Sequence, residues 1–366
     1  MRLLICAGGT GGGVYPALAV IETFNVERST LNVLWIGGEG GMEADLVAQA
    51  GVLFETIPAA GVHGVGLRTL PGNLLRLGRG FFAARKVLRR FRPDVMFFTG
   101  GYVAMPMALA GLRIPSVLYV PDIEPGLALK TLARFADRIA VTADDSRRFF
   151  PRHRGVIVTG YPTRQGLLSW DRRQAQEALN LHADLPTLLV FGGSKGARSI
   201  NRALFPALSE LLAEMQIVHI TGELNWPEVE QVHQELASEQ IERYHPYPYL
   251  HAEMGAAFKA ADLVLSRAGA SSLGEFPLLG LPSILVPYPY AWRYQKVNAE
   301  YLARHGAAIM VQDAELPEKI VQLVRDLMQD KKRRAKMRAA MQTLNKPDAA
   351  ASIGRVLVGL AEANAV

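Results

Sequence analysis

The chain has little cysteine and no long apolar segment free of helix breakers. Its 366 residues include one cysteine, Cys6, which excludes a disulfide framework and a multi-cysteine metal site and suits a reducing compartment. The first apolar run, residues 1–7, is shorter than a signal peptide requires. Two long uncharged runs, Val95–Leu112 and Phe276–Trp292, contain glycines and prolines, so we expect no transmembrane helix.

Acidic residues are missing from one segment, and this explains the net charge. The formal charge is +6, but Leu67–Arg92 carries eight basic residues and no acidic one. The remainder therefore has a net charge of −2, the difference between +6 and +8. Hydrophobic residues make up 49% and charged residues 20%, a composition that favours a folded chain over a disordered one. The length is about that of two domains.

Short apolar runs alternate with helical patterns along the whole chain. This alternation is typical of βαβ units, and strands buried on both faces of a parallel sheet are continuously apolar. We therefore predict an α/β fold. The candidate strands are Arg2–Ala7, Val33–Ile36, Val95–Thr99, Ser116–Val120, Arg138–Val141, Val156–Thr159, Thr187–Phe191, Gln216–Ile220, Leu263–Ser266 and Ser283–Val286.

A strand, a glycine-rich loop and a helix follow one another twice, about half the chain apart. The first loop starts at Gly8 and precedes a helix predicted from near Pro16; the second starts at Gly192 and precedes a helix predicted over Arg198–Leu212. This repeat predicts two Rossmann-like domains whose parallel sheets face a cleft. We expect domains at 1–162 and 163–345, with 346–366 returning to the first domain as a helix.

Both loops suit phosphate binding, because a glycine turn before a helix lets backbone N–H groups approach an anion. Neither loop has the dinucleotide or P-loop spacing, so a tight turn without a ligand stays open as an alternative. A third segment, Ser266–Glu275, places serines at a predicted helix start and a carboxylate one turn later. It suits a diphosphate and a ribose, or else is a capping motif.

Seven motifs follow one another over nearly the whole chain: Gly8–Gly12, Gly41–Val47, Gly100–Val103, Gly160–Arg164, Gly192–Arg198, Arg267–Glu275, and Gln295 with Asn298-Ala299. In this order they resemble the MurG family of inverting glycosyltransferases. The resemblance implies the GT-B fold of that family. It also implies transfer of N-acetylglucosamine from its UDP donor to undecaprenyl-diphosphoryl-N-acetylmuramoyl-pentapeptide (lipid I).

The resemblance implies a donor site mostly in the second domain. Ser194 would face the α-phosphate, Glu275 would bind ribose hydroxyls, and Gln295 would bind hydroxyls of the sugar. Ser271 and Ser272 would lie at the diphosphate and Leu250 at uracil. The implied donor residues are Thr10, Gly11, Gly12, Asp122, Arg164, Ser194, Leu250, Ala270, Ser271, Ser272, Leu273, Gly274, Glu275 and Gln295.

The acceptor side would include Gly13 and Tyr102. No Asp-x-Asp motif occurs in the chain, so we expect no metal, and no cofactor besides the donor substrate UDP-N-acetylglucosamine. A helix N-terminus can stabilise a departing diphosphate without a metal.

The chain departs from the family at the position of a favoured general base. The family usually has histidine where this chain has Gly13, and asparagine where it has Asp122. The Asp122 carboxylate is therefore a hypothetical base, although aspartate is also a common turn residue. His63 is a weaker candidate.

Two other functions stay open, and a third is disfavoured. The acceptor would be another lipid, such as a diacylglycerol, in a related transferase. Gly13 would fit a UDP-sugar-binding protein that has lost catalysis. The basic segment would serve a nucleic-acid binder, but it has few interleaved aromatic residues and no recognition module, so we expect no nucleic-acid partner.

The basic segment Leu67–Arg92 has apolar residues at helical spacing. Leu74, Leu77, Phe81, Leu88 and Phe91 would include the face that packs on the first domain. The surplus, such as Leu75 and Phe82 beside arginines, suits docking on an anionic bilayer. Because the implied acceptor is lipid-linked, we expect peripheral attachment to the cytoplasmic side of the cell membrane.

Overall fold

A computed structural model of the chain describes residues 1–8, 11–26, 31–40, 43–61, 66, 68–193, 196–290 and 294–364. The chain divides into two compact units. Unit 1 comprises Met1–Arg164 and Lys346–Val366, and unit 2 comprises Gln165–Asn345. Each unit is built around one sheet of parallel strands.

The sheet of unit 1 has seven parallel strands in the order β3-β2-β1-β4-β5-β6-β7. The strand order reverses between β1 and β4, and ligands of such sheets bind where the carboxyl ends of the strands diverge. The strands are β1 (Arg2–Cys6), β2 (Asn32–Gly38), β3 (Leu53–Ile57), β4 (Val95–Phe98), β5 (Ser116–Val120), β6 (Arg138–Val141) and β7 (Val156–Val158). The helices of residues 1–164 are α1 (Gly11–Val26), α2 (Glu43–Gln49), α3 (Leu70–Phe91), α4 (Ala104–Ala110) and α5 (Leu127–Leu132).

The sheet of unit 2 repeats this arrangement with six parallel strands, in the order β10-β9-β8-β11-β12-β13. Its strands are β8 (Thr187–Phe191), β9 (Gln216–Ile220), β10 (Tyr244–Tyr247), β11 (Leu263–Ser266), β12 (Ser283–Leu285) and β13 (Ala308–Met310). Its helices are α6 (Arg172–Ala178), α7 (Arg198–Leu204), α8 (Leu208–Leu212), α9 (Trp226–Glu235), α10 (Ser238–Ile241), α11 (Met254–Ala260), α12 (Glu275–Leu279), α13 (Tyr294–Arg304), α14 (Leu316–Gln329) and α15 (Lys331–Thr343).

The last helix, α16 (Ala349–Ala363), packs on unit 1. It contacts α1 and the strands β4 and β5, and it buries Ile353 and Leu357 completely. Burial of side chains of this size stabilises the contact by about 1.5–3 kcal/mol each.

The predicted α/β class and all ten predicted strands are confirmed, with ends that differ by at most two residues. Three strands were missed: β3, β10 and β13. Each lies at the edge of its sheet and pairs with one neighbour, so its sequence does not need a continuous apolar run. β10 even contains Pro246, which an edge strand tolerates because its free side needs no N–H donor.

Two helix predictions are corrected. α1 begins at Gly11, five residues before Pro16, because burial of Val14, Ala17 and Val20 outweighs the hydrogen bond that the proline removes. The helix predicted over Arg198–Leu212 is divided into α7, a 3-10 turn and α8, since Pro206 cannot donate the helical hydrogen bond.

The basic segment forms α3, whose buried and exposed faces are distinct. Gly80, Ala84, Val87 and Leu88 are buried, and a Cβ at Gly80 would overlap the carbonyl oxygen of Pro58. This glycine therefore allows the helix to lie directly against the chain that leaves β3.

The opposite face of α3 is apolar and basic together. We call the exposed residues Leu75, Arg79, Phe82, Lys86 and Arg89 the α3 stripe; their spacing of three or four places them along one line of the helix. Leu75 is 67% exposed and Phe82 71%.

Leu74 is 54% exposed, so it lies outside the part of the apolar set that packs on unit 1. It precedes Leu75 on the outer side of the first turns of the helix. None of the described helices is both long enough and apolar enough to cross a bilayer.

Candidate active site at the carboxyl edges of the two sheets

In unit 1, neighbouring strands end at the first three predicted motifs. β1 leads to Gly8 and then to α1, whose first turn contains the predicted Gly11, Gly12 and Gly13. The glycines that end β4 and the turn that ends β5 follow at the same edge of the sheet. Thr10 and His63 lie outside the described residues.

The glycines at this edge permit close backbone packing. Gly101 has φ +84°, and a Cβ there would lie 3.3 Å from the backbone nitrogen of Gly8. The Thr99 hydroxyl donates to the Gly13 carbonyl at 2.7 Å, which ties β4 to the first turn of α1. Tyr102 follows this loop with 65% of its surface exposed, and its ring lies against the backbone of Gly61.

Glu43 was named in the sequence analysis only as part of its motif, yet this carboxylate is buried at the same edge. Its Oε1 accepts from the Gly38 N–H at 3.0 Å. A Cβ at Gly8 would lie 2.5 Å from that oxygen, so a larger residue there would require the Glu43 side chain to shift. A glutamate directly after Gly-Met at a helix start is the sequence signal that could have identified it.

Asp122 follows β5 through Pro121 and is partly exposed. The Thr142 hydroxyl donates to the Pro121 carbonyl at 2.8 Å and lies 2.9 Å from the Tyr119 hydroxyl. Because Thr142 has one hydroxyl proton, Tyr119 donates to it. Burial raises the pKa of Tyr119 and keeps it protonated for that role, with the Asp122 charge acting in the same direction. The backbone that carries Asp122 is thereby fixed.

Arg164, the last residue of the first part of unit 1, lies over the ring of Tyr15. Its guanidinium carbon is 4.4 Å from the ring centroid, a cation–π contact. Tyr15 belongs to the second turn of α1, so the contact brings Arg164 to the start of that helix. Sequence reasoning identified Arg164 but not its aromatic support.

In unit 2, the second glycine loop connects β8 to α7. A Cβ at Gly192 would overlap the backbone nitrogen and the Cβ of Ala197. Gly193 has φ +88° and Gly196 has φ +72°, conformations that favour glycine. Ser194 lies outside the described residues.

The neighbouring strand β11 leads to a 3-10 turn, Ala270–Leu273, instead of the predicted helix start. The buried Ser272 hydroxyl donates to the Gly269 carbonyl at 2.6 Å, so this hydroxyl is committed within the turn and Ser271 is the accessible serine. Glu275 begins a separate helix, α12, after Gly274 and is 8% exposed. The capping-motif alternative is therefore not found.

The segment that follows the next strand, β12, is hydrogen-bonded to Gln295. This side chain belongs to the first turn of α13, and its Oε1 accepts from the Tyr288 N–H at 2.9 Å, which leaves its amide as a donor. The buried Asn298 of the same helix donates to the Ala268 carbonyl at 3.1 Å. Leu250 is buried and follows β10.

A buried polar chain missed by sequence reasoning supports the second glycine loop. The two ring nitrogens of His219 lie 2.8 Å from the Tyr244 hydroxyl and 3.0 Å from the Asn201 side-chain oxygen. The Asn201 amide donates to the Thr221 carbonyl at 3.0 Å. A Cβ at Gly196 would overlap that carbonyl, so the chain of hydrogen bonds ends beneath the loop.

Burial lowers the pKa of His219 to about 3. In the unfolded chain the pKa of this histidine is about 6.5. Above that pH it is neutral in both states, and the fold has its full stability with respect to this residue. As the pH falls from about 6.5 towards 4, we expect this residue to remove about 1.4 kcal/mol of unfolding free energy per pH unit. The free energy of unfolding of His219→Gln, measured with urea at several pH values, should lack this part of the pH dependence. The exposed His305→Gln variant should keep it, and equal slopes in all three proteins would contradict the assignment.

The comparisons with known proteins agree with this architecture. Residues 3–141 match the glycosyltransferase family 28 N-terminal domain, and residues 187–353 match the glycosyltransferase family 28 C-terminal domain. The chain is therefore a two-domain α/β glycosyltransferase of family 28.

Two relatives within that class carry the same name. A UDP-N-acetylglucosamine--N-acetylmuramyl-(pentapeptide) pyrophosphoryl-undecaprenol N-acetylglucosamine transferase of Desulforamulus reducens is 38% identical over 96% of this chain and 97% of its own length. The protein of the same name from Desulforudis audaxviator is 38% identical over 99% of both chains. The chain belongs to this transferase family, the MurG family.

Solved structures agree. MurG from Acinetobacter baumannii superposes with a TM-score of 0.75 at 25% identity and covers 98% of this chain and 99% of its own. UDP-GlcNAc 2-epimerase from Neisseria meningitidis has a TM-score of 0.70 at 14% identity, with 98% and 100% coverage, and so shares the fold alone.

Proposed function

We propose that this protein transfers N-acetylglucosamine, with inversion, from UDP-N-acetylglucosamine to undecaprenyl-diphosphoryl-N-acetylmuramoyl-pentapeptide. The full-length relatives named for this reaction support the proposal. The observation that carries it lies in unit 2, where adjacent strands end at the Gly192–Gly196 loop, the Ala270–Leu273 turn and Glu275.

The donor is bound mainly by unit 2. Backbone N–H groups of the Gly192–Gly196 loop and the Ala270–Leu273 turn bind the diphosphate, together with the Ser194 and Ser271 hydroxyls. Glu275 accepts from the ribose hydroxyls, and the backbone at Leu250 meets uracil. The Gln295 amide donates to a hydroxyl of the transferred sugar, because its oxygen is bound to Tyr288.

Unit 1 supplies the acceptor side. The Asp122 carboxylate removes the proton of the acceptor sugar hydroxyl, whose oxygen attacks the anomeric carbon. The bond from that carbon to the β-phosphate oxygen breaks, and its electron pair leaves with UDP. Tyr102 and Gly13 lie on the acceptor side, while Gly11, Gly12 and Arg164, at the start of α1, contact the donor.

The leaving diphosphate is stabilised by backbone dipoles, so the reaction needs neither a metal nor a cofactor. Turnover should be unchanged when a chelator is added to the assay.

The deciding experiment is transfer of labelled N-acetylglucosamine from its UDP donor to lipid I, with a diacylglycerol acceptor as the parallel arm. Product with lipid I alone supports the proposal. Product with diacylglycerol alone would identify the related transferase. UDP-sugar binding or donor hydrolysis without transfer would identify a protein that has lost catalysis.

We further propose that the α3 stripe attaches the enzyme to the anionic cytoplasmic leaflet, where a lipid-linked acceptor is reached. Two exposed apolar side chains lie among three basic ones on this line of the helix. Within the part of the chain that is described, no carboxylate pairs with Arg79, Lys86 or Arg89, whereas Arg76 and Arg90 pair with Glu39 and Glu55. The stripe therefore keeps its positive charge for lipid headgroups.

Reversing Arg79, Lys86 and Arg89 to glutamate should weaken binding to vesicles that contain anionic lipid by roughly 100-fold or more, because each basic residue near such a surface contributes about 1 kcal/mol. Vesicle flotation measures this. The matched control reverses Lys331, Lys332 and Arg333 of α15, which changes the net charge equally. Equal loss in the control would mean that net charge, and not the stripe, drives attachment.

A further inference from the structure

Arg267 is a buried cation that the proposed reaction does not use. It directly follows β11 and is 8% exposed. Its Nη1 donates to the Val286 carbonyl at 3.0 Å and pairs with the Asp313 carboxylate, while Nη2 donates to the Ser199 hydroxyl at 2.6 Å. Ser199 in turn donates to Asp313 at 2.9 Å, which closes the cluster. One guanidinium thus holds three separate segments.

Arg267 and these three partners follow four adjacent strands. Ser199 lies in the first turn of α7, directly after the loop that ends β8. Val286 follows β12, and Asp313 begins a 3-10 turn after β13. Because the sheet order is β8-β11-β12-β13, Arg267 spans the carboxyl edge on which the donor segments lie.

The same side chain reaches the segment that holds Gln295. The Arg267 guanidinium carbon lies 5.2 Å from the centroid of the Tyr288 ring, and the Tyr288 N–H is the donor to Gln295. Displacement of the arginine would therefore shift the proposed sugar contact as well as the proposed diphosphate contacts.

The charge of Arg267 is already balanced. Asp313 compensates the guanidinium charge in a pair whose side chains are 7% and 19% exposed. Both terminal nitrogens of the guanidinium donate to protein acceptors. Removing one partner of such a pair leaves the other charge uncompensated in a poorly solvated place. These contacts fit an arginine that fixes other groups better than one that binds phosphate itself.

We infer that Arg267 is a positioning residue that holds the Gly192–Gly196 loop, the Ala270–Leu273 turn and the Tyr288 segment in register for the diphosphate and the transferred sugar. The inference rests on the proposed function. The nucleoside contact has its own support, since Glu275 lies on α12, whose Phe276 packs against the rings of Phe191 and Phe258. Loss of Arg267 should therefore affect the diphosphate far more than the nucleoside.

The test is calorimetric binding of UDP and of uridine to the full-length protein and to Arg267→Lys, Asp313→Ala and Ser199→Ala. A binding group that is displaced by about 1 Å can lose up to about 100-fold of its effect. We therefore expect UDP affinity to fall roughly 10- to 100-fold in Arg267→Lys and Asp313→Ala, and about 3-fold in Ser199→Ala. Uridine affinity should stay unchanged in each variant, so that even the small effect of Ser199→Ala is specific for UDP. In the transfer assay, kcat should fall together with a rise in the donor KM.

Arg325→Lys is the matched control, because Arg325 pairs with Glu210 and Glu214 at the surface of the same unit. It should bind both ligands as the unaltered protein does. Ser199→Ala removes only a hydroxyl and keeps the test valid if the charge variants do not fold. A parallel loss of UDP and uridine affinity, or a gain of UDP affinity in Asp313→Ala, would overturn the inference. Failure of the unaltered protein to bind UDP would instead overturn the proposed function.

Discussion

Replacing Gly192 with alanine is expected to lower UDP affinity by roughly 100-fold and to destabilise unit 2 by about 1–3 kcal/mol. The added Cβ would overlap the backbone nitrogen of Ala197, where α7 begins. A backbone neighbour cannot move aside as a flexible side chain can. The end of β8 and the start of α7 must therefore separate, and the loop between them loses the conformation that would bind the diphosphate.

Titration calorimetry with UDP and urea unfolding measure the two effects of Gly192→Ala. Gly306→Ala is the control, since Gly306 has φ +72° in the same unit but no atom within 4 Å of an added Cβ. It should cost about 1–2 kcal/mol of stability and leave UDP affinity unchanged. Unchanged UDP affinity in Gly192→Ala would contradict a role of this loop in donor binding.

The second large effect is expected from Asp122→Asn. If this carboxylate is the general base, the amide cannot take the acceptor proton, and kcat should fall by roughly 100- to 10,000-fold. The substitution keeps the shape of the side chain, and the Thr142 contact with the Pro121 carbonyl holds the turn in place. Binding of the donor should therefore be nearly unchanged.

The same transfer assay should be made on Asp144→Asn, an exposed aspartate of unit 1 that pairs with Arg147. Normal turnover is expected there. A near-normal kcat in Asp122→Asn would remove Asp122 as the base, and His63→Gln would then test the second sequence candidate. If both variants turn over normally, neither residue is the base.

Prediction from the sequence succeeded where a segment is buried on both faces. Strands such as β1 and β5 are continuously apolar because helices cover both sides of their sheets, and that requirement is visible in the sequence. The edge strand β10 has no such requirement and was missed. Arg267 was missed as a functional candidate for a related reason: its partners Ser199, Val286 and Asp313 lie far from it in the sequence, and only the folded chain brings them together.

The sequence by itself determined the α/β class, the repeated strand–glycine loop–helix unit, the MurG resemblance and the concentration of positive charge in α3, because each depends on composition or on residues close together in the chain. The tertiary structure decided which side chains meet. It showed that the Ser272 hydroxyl is committed within its turn, that Arg164 lies on Tyr15, and that Leu74 is on the outer side of α3. Contacts of this kind depend on sheet order and on helix rotation, which local sequence patterns do not encode.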